Sequence, residues 1–77
     1  MITDQQVVAC IRKANPNLGV SNIEEKDTLT ELGLDSLDRF NLFLELQELT
    51  GVVVPDEALA DLESIASIRD YINERSK

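Results

Sequence analysis

The sequence predicts an all-α fold, a small four-helix bundle with a long ordered loop between helices 1 and 2 and a short third helix. Apolar residues recur at spacings of three and four in three separate stretches, which is typical of amphipathic helices. Residues that cap or stop helices stand at the ends of these stretches. A β-branched run at residues 52–54 is short and is expected to be extended.

The chain length of 77 residues predicts a single domain over residues 1–77. A chain of this size buries only about 60% of its unfolded surface, so its core is thin. Such a core leaves little rigid scaffold for a deep catalytic cleft. An autonomous enzyme is therefore the least favoured functional class.

The first predicted helix covers residues 3–14. Thr3 is a suitable N-cap, and Gln6 stands three positions later in a capping-box arrangement. A turn-forming sequence at residues 15–17 ends the helix. The residues expected on or beside its buried face are Val7, Cys10, Ile11 and Ala14.

The connection at residues 15–34 shows no clear periodicity, and a loop this long is unusual in a small domain. Apolar residues along it are expected to hold it against the core, so it is predicted to be ordered. These anchors are Val20, Ile23, Leu29, Leu32 and Leu34. Gly33 permits a sharp backbone turn before the second helix.

The second predicted helix covers residues 36–50 and ends at Gly51. At 100° per residue its apolar side chains fall into two sectors on roughly opposite sides. The core-facing sector contains Leu42, Phe43, Leu46 and Leu49. The second sector contains Leu37, Phe40 and Leu44, which we call the apolar stripe. A bundle needs only one apolar face, so the stripe is either covered by the long loop or exposed to a partner.

Along the edge between the two sectors runs a row that we call the acidic ridge. It consists of Asp38, Asn41, Glu45 and Glu48. Like charges at these helical spacings cost about 0.2–0.5 kcal/mol per pair. The presence of these unfavourable acidic side chains beside exposed apolar residues indicates a docking surface. The alternative is a solvated face that prevents aggregation.

The last two helices are shorter. Pro55 suits the start of a third helix over residues 56–61, with acidic residues near its positive end. The fourth helix is predicted over residues 65–74, with Ser64 as its cap. Its buried stripe is Ile65, Ile68 and Ile72, flanked by Tyr71.

Charge and residue types exclude several functions. Seven basic and fifteen acidic residues give a net charge of −8, which disfavours nucleic acid and anionic membranes and favours a positively charged protein partner. With no His and one Cys, neither a metal site nor an internal disulfide is expected. No signal peptide, transit peptide or membrane span is predicted, so a cytoplasmic location is expected.

Ser36 is the candidate functional residue, at the predicted start of the second helix. Free backbone N–H groups and the helix dipole make such a position suitable for a phosphate. A serine there is often only a helix cap. Because the chain has no histidine to act as a base, Ser36 would need a separate enzyme to activate it.

The sequence Leu-Gly-Leu-Asp-Ser-Leu-Asp at residues 32–38 resembles the modification site of the acyl carrier protein family. The similarity covers almost the whole chain, including the long first loop. It also includes the leucine pattern at residues 42–46, Val-Pro-Asp-Glu at residues 54–57 and Ile-Arg-Asp-Tyr-Ile at residues 68–72.

This resemblance implies that Ser36 receives 4′-phosphopantetheine from coenzyme A, with Asp35 and Leu37 beside it. The modifying enzyme would be a phosphopantetheinyl transferase that uses magnesium. The protein would be a non-catalytic carrier of acyl thioesters for fatty acid, polyketide or related biosynthesis. It would act as a monomer and meet acyltransferase, ketosynthase or acyl-activating enzymes with basic patches. The implied partner-facing residues are Asp35, Leu37, Asp38, Phe40, Asn41, Leu44, Glu45 and Glu48.

Several positions depart from the fatty-acid-synthesis members of this family. Those members commonly have acids in place of Asn41 and Gln47, a small residue in place of Arg39, and smaller residues in place of Phe40 and Phe43. These departures favour a specialised pathway. Arg39 lies on the core-facing side and is expected to extend its charged end into solvent.

A functional hypothesis from another class is a non-covalent acidic adaptor that has the same fold but lacks the modification. It would bind a basic partner whether or not Ser36 is present.

Overall fold

The computed structural model describes residues 1–19 and 22–76, and this part of the chain contains four α-helices. They are α1 (Asp4–Ala14), α2 (Ser36–Thr50), α3 (Asp56–Leu59) and α4 (Ile65–Arg75). The predicted all-α fold, with a long first connection and a short third helix, is confirmed.

Three helices begin with a capping box, in which two residues exchange side-chain to backbone hydrogen bonds. In α1 the Thr3 hydroxyl accepts from the Gln6 N–H at 3.2 Å, and Gln6 Oε1 accepts from the Thr3 N–H at 2.9 Å. The box predicted for α1 is therefore confirmed. The other pairs are Asp35 with Asp38 in α2 and Ser64 with Ser67 in α4.

The ends of the last two helices differ from the prediction. The third helix was predicted over residues 56–61, but α3 ends at Leu59. Beyond it the backbone closes tighter turns, with the Asp61 N–H donating to Ala58 O at 3.1 Å. These turns bring Leu62 into the core, where it is 6% exposed. At the other end α4 runs one residue further than predicted, to Arg75.

The core lies where α1, α2 and α4 meet. α1 packs against both of the other long helices, and the predicted stripes of α1 and α4 are buried. The fully buried side chains are Val7, Ile11, Leu29, Leu42, Leu46, Ile65, Ile68 and Ile72. Phe43 is also buried, as predicted.

Leu49 does not match the prediction for α2. The helical periodicity predicts it in the core-facing sector, but its side chain is 51% exposed. The α1 residues opposite it, Gln6 and Ala9, are polar or small. They leave an open groove between α1 and α2 that Leu49 lines. The helical angle of Leu49 was right, but the opposing helix does not cover it.

Within residues 22–34, the long loop is held by backbone hydrogen bonds to the start of α4 and to the residues just before it. The Leu29 N–H donates to Glu63 O at 2.8 Å, and the Ala66 N–H donates to Glu25 O at 2.9 Å. The predicted anchors Leu29, Leu32 and Leu34 are buried, and Ile23 packs against the core. The remaining predicted anchor, Val20, lies outside the described residues. The loop residues just before α2 are thus packed into the core, which fixes the position where α2 begins.

Arg39 corrects another prediction, because its charged end does not extend freely into solvent. Its guanidinium donates to the Glu63 carboxylate at 2.8 and 3.1 Å and to Thr30 Oγ1 at 2.8 Å. These bonds hold the pKa of Glu63 at about 2, well below its ordinary value, with hydrogen bonds from Thr30 contributing. Arg39 therefore ties α2 to the loop and to the segment before α4.

Candidate functional site

Ser36 is the first residue of α2, and its side chain is exposed. The approach to it is fixed by a turn at Gly33, where φ is +84°. This is a left-handed conformation that glycine adopts readily. On either side of Gly33, Leu32 and Leu34 are buried at 6% and 5% exposure. Ser36 therefore projects from a firmly anchored segment.

The hydroxyl of Ser36 is not used to cap the helix. The N-cap is Asp35, whose Oδ1 accepts from the Asp38 N–H at 2.8 Å. In the part of the chain that the structure describes, no hydrogen bond uses the Ser36 hydroxyl. By contrast, the hydroxyls of Ser64 and Ser67 both take part in the α4 capping interactions. An exposed serine one position inside a helix is thus available to react.

The backbone around Ser36 favours an anion. The first intrahelical bond of α2 runs from the Arg39 N–H to Asp35 O at 3.0 Å. The N–H groups of Ser36 and Leu37 precede that bond, so the helix itself gives them no carbonyl partner. Together with the positive end of the helix dipole, they fit a phosphate group attached to Ser36.

The apolar stripe of α2 is exposed. Leu37 is 65% exposed, Phe40 56% and Leu44 43%. The long loop therefore does not cover this face, which excludes one of the two alternatives left open by the sequence. These three side chains lie on the helix face that begins beside Ser36, as an accessible apolar surface.

The acidic ridge lies along α1, and two of its carboxylates bond to that helix or its cap. Asp38 Oδ2 accepts from Nδ2 of Asn15 at 3.2 Å. Glu45 forms an ion pair with Lys13 at 3.3 Å. The remaining ridge residues are Asn41, which is half-buried, and Glu48, which is exposed. Sequence reasoning missed Asn15 and Lys13, since no local pattern links residues so distant in the chain.

Depressions border α2 on the side of α1 and on the side of α3. A groove of about 410 Å³ between α1 and α2 is lined by residues that include Ala9, Lys13 and Leu49. A shallow pocket of about 90 Å³ lies between α2 and α3, where Phe40, Phe43 and Leu59 line it. The described residues contain no cluster of three or more His, Cys, Asp or Glu side chains suited to a metal ion.

Cys10 is buried, at 7% exposure, as the sequence predicted for a small core residue. Burial raises the pKa of its thiol, and the nearby Glu45 carboxylate raises it further. Both effects suppress the reactive thiolate. The one cysteine of the chain is therefore poorly suited to react at the protein surface.

Together these features define a class of protein: a small helical domain with an exposed serine at the start of a helix, beside an exposed apolar surface. No described helix has the length and apolar character needed to cross a membrane.

Comparison with known proteins identifies the class more closely. A family model described as a phosphopantetheine attachment site matches residues 5–72. The acyl carrier protein of Chloroherpeton thalassium is 37% identical over 73% of this chain and 68% of its own length. The acyl carrier protein homolog of Ureaplasma parvum is 40% identical over 74% of this chain and 65% of its own. The mitochondrial acyl carrier protein of Saccharomyces cerevisiae is 31% identical over 86% of this chain and 54% of its own.

The chain belongs to the acyl carrier protein family. It spans between 54% and 68% of the length of these three relatives. Membership implies a 4′-phosphopantetheine prosthetic group, and the geometry around Ser36 fits such a group. The resemblance seen in the sequence is confirmed.

Proposed function

We propose that this protein is an acyl carrier that holds acyl intermediates as thioesters on a 4′-phosphopantetheine arm attached to Ser36. The observation that carries the proposal is the exposed hydroxyl of Ser36, which Asp35 leaves unused at the start of α2. The protein would be a substrate of a phosphopantetheinyl transferase, with coenzyme A as donor, and not itself a catalyst.

In this account the chain's own residues hold the attachment point and orient the phosphate. The N–H groups of Ser36 and Leu37 would bind the phosphate, and the segment held by buried Leu34 keeps the start of α2 in place. The attached group supplies the reactive thiol that buried Cys10 cannot. Tethering keeps the cargo at a high effective concentration for successive enzymes.

Partners are proposed to meet the face of α2 next to Ser36. Exposed apolar side chains would supply contact area, and acidic ones would steer basic patches on the transferase, acyltransferase, ketosynthase or acyl-activating enzymes. The proposed surface is Asp35, Leu37, Asp38, Phe40, Asn41, Leu44, Glu45 and Glu48. Asp35 and Leu37 would also border the attached phosphate.

The setting of this activity is proposed from the sequence. Asn41, Gln47 and Arg39 favour a specialised pathway, such as polyketide biosynthesis, over primary fatty acid synthesis. The single cysteine suits a reducing compartment, which supports a cytoplasmic location. We propose that residues 1–77 act as one monomeric carrier domain.

The test uses a promiscuous phosphopantetheinyl transferase with coenzyme A and magnesium, followed by intact mass. The wild-type protein is expected to gain one phosphopantetheine group, and the Ser36→Ala variant none. Ser76→Ala, which removes another exposed serine hydroxyl, is the matched control and should be modified like the wild type. An unmodified wild type, or a Ser36→Ala protein that gains the group, contradicts the proposal.

The adaptor hypothesis remains the second candidate, because the exposed apolar stripe can bind a partner without any modification. It predicts that Ser36→Ala leaves affinity for a basic partner unchanged and that the wild type is not modified. The same mass measurement therefore separates the two candidates.

A further inference from the structure

We infer that Glu63 neutralises the charge of Arg39 beside Ser36, and so keeps an exposed cation away from the path of a basic partner enzyme. This inference rests on the proposed function, because it concerns the enzymes that would approach Ser36. It assigns a role in partner recognition to a residue that lies outside α2, in the segment just before α4.

Arg39 is the one basic residue of α2, and it is close to the candidate attachment point. Ser36 and Arg39 are three positions apart on the helix, a spacing at which Cβ atoms are about 5–6 Å apart. An extended arginine side chain spans a similar distance from its own Cβ. A free guanidinium at residue 39 could therefore reach the edge of the site and repel the basic patch of an approaching enzyme.

The structure does not leave this guanidinium free. Nη1 of Arg39 donates to Glu63 Oε2 at 2.8 Å, and Nη2 donates to Glu63 Oε1 at 3.1 Å. Two parallel bonds of this kind match the planar guanidinium to a carboxylate. The Arg39 side chain is only 27% exposed as a result. Its positive charge is thus offset at close range and turned toward the segment before α4.

Glu63 is held in place by bonds that do not involve Arg39. The Thr30 N–H donates to Glu63 Oε1 at 2.8 Å, and the Thr30 hydroxyl donates to the same oxygen. The backbone carbonyl of Glu63 accepts from the N–H of fully buried Leu29 at 2.8 Å. With a pKa of about 2, the carboxylate is ionised at any pH used for a transfer assay. A fixed negative charge therefore lies opposite Arg39.

Neutralisation differs from a purely mechanical link between α2 and the segment before α4. A mechanical link needs both residues, so the loss of either one should impair the protein. A neutralising carboxylate is needed only while the cation is present. The loss of Glu63 alone should then slow a basic partner enzyme, and the further loss of Arg39 should restore the rate.

The experiment measures kcat/KM for phosphopantetheine transfer at low and high salt, with the full folded chain as substrate. The variants are Glu63→Gln, Arg39→Gln and the double variant with both changes. Asp61→Asn is the matched control, because it removes an exposed carboxylate two residues from Glu63 and changes the net charge equally.

We expect Glu63→Gln to lower kcat/KM about two- to fourfold at low salt, the factor that Coulomb's law gives for unit charges about 5–10 Å apart in water. The difference should shrink at high salt, because ions screen exposed charges. Arg39→Gln should be no slower than the wild type, and the double variant should transfer at the wild-type rate. Asp61→Asn should have a smaller effect than Glu63→Gln.

A second measurement needs no transferase. Phenylglyoxal reacts with the guanidinium of arginine, and peptide mapping gives the reaction rate at each arginine. Arg39 should react several-fold faster in Glu63→Gln than in the wild type, because the bonds that cover its guanidinium are lost. Arg75, which is exposed near the end of the chain, should react at the same rate in both proteins.

Two transfer results would overturn the inference. One is an Arg39→Gln protein that transfers as poorly as Glu63→Gln, because the pair would then act by holding two segments together. The other is a Glu63→Gln protein that transfers no more slowly than Asp61→Asn. A wild-type protein that gains no mass would instead fault the proposed function. The phenylglyoxal rates would still decide whether Glu63 covers the cation, and equal rates at Arg39 in both proteins would show that it does not.

Discussion

The difference between Ser36 and Ser64 shows how one neighbouring residue decides what a serine can do. Both stand at the start of a helix, but Ser64 is the cap and accepts from the Ser67 N–H at 3.1 Å. At α2 the cap is Asp35, one position earlier, so the hydroxyl of Ser36 remains unused. A shift of one position thus separates a structural serine from a candidate attachment point.

Cys10 gives a prediction at the residue scale. Its thiol is largely buried, although Cys10 lines the groove between α1 and α2, and its pKa is raised, chiefly by burial, so alkylation by iodoacetamide is expected to be slow in the folded protein. Alkylation of the folded protein at pH 8 should be at least about tenfold slower than that of the protein unfolded in guanidinium. Mass spectrometry measures both alkylation rates. Equal rates in the folded and the unfolded protein would show that the thiol is accessible in the fold.

Glu63 gives a second prediction, on pH. Its pKa in the fold is about 2, lower than the ordinary 4.5, so the ionised carboxylate stabilises the folded state. That stabilisation is complete above about pH 4.5 and is lost as the pH falls toward 2. Since its side chain is 35% exposed, we expect Glu63→Gln to cost only about 1 kcal/mol at pH 7. Urea unfolding should show that the difference in unfolding free energy between the wild type and Glu63→Gln becomes smaller below pH 4.5. A difference that does not change with pH would contradict the lowered pKa of Glu63.

At the scale of elements, helix periodicity and capping residues were enough to predict α1 and α2. The segments around Thr3 and Gly51 have the local chemistry that starts or stops a helix, so a linear pattern is sufficient there, whereas the cap of α2 is Asp35 and not Ser36. The exposure of Leu49 was not predictable in this way, because it depends on which α1 residues lie opposite. Arg39 and Glu63 are 24 residues apart in the sequence, so the periodicity of one helix does not predict the ion pair between them.

The candidate site was predictable to a similar extent. The motif at residues 32–38 indicated the family and predicted Ser36 as the attachment point, because the chemistry there is encoded by adjacent residues. The helical angle also predicted the apolar stripe, but it did not decide whether the loop covered that stripe. The bonds from Asn15 and Lys13 to the acidic ridge required the packed structure.

The apolar stripe gives a prediction for α2 as an element. Leu37→Ala and Phe40→Ala should change the free energy of unfolding by less than about 1 kcal/mol, since both side chains are mainly exposed, and should still impair acyl transfer. Leu46→Ala, on the buried face of the same helix, is the control and should cost about 2–5 kcal/mol. Parallel losses of stability and transfer at Leu37 or Phe40 would instead assign them to the core.

For the molecule as a whole, the net charge of −8 is the dominant physical feature. It favours encounter with basic enzymes and also opposes the compact fold through self-repulsion. The ion pairs Lys13–Glu45 and Arg39–Glu63 offset this locally between segments that the fold must hold together. The same net charge thus favours encounter with a basic partner and lowers the stability of the fold.

Self-repulsion predicts a response to divalent cations. Millimolar magnesium or calcium should raise the melting temperature by about 4 °C or more, corresponding to roughly 1 kcal/mol for a domain of this size. Sodium chloride at equal ionic strength is the control for general screening. An unchanged melting temperature in all three salts would show that self-repulsion does not limit stability.

The most direct measurement of the central claim is the position of the attached group. After reaction with transferase and coenzyme A, cleavage at basic residues releases residues 27–39, which contain Ser36 together with Thr28 and Thr30. The hydroxyl of Thr28 donates to Glu31 and that of Thr30 to Glu63, whereas no hydrogen bond among the described residues uses the hydroxyl of Ser36. Fragmentation of this peptide should place the whole added phosphopantetheine mass on Ser36. The same mass on either threonine, on another peptide, or nowhere would contradict the account.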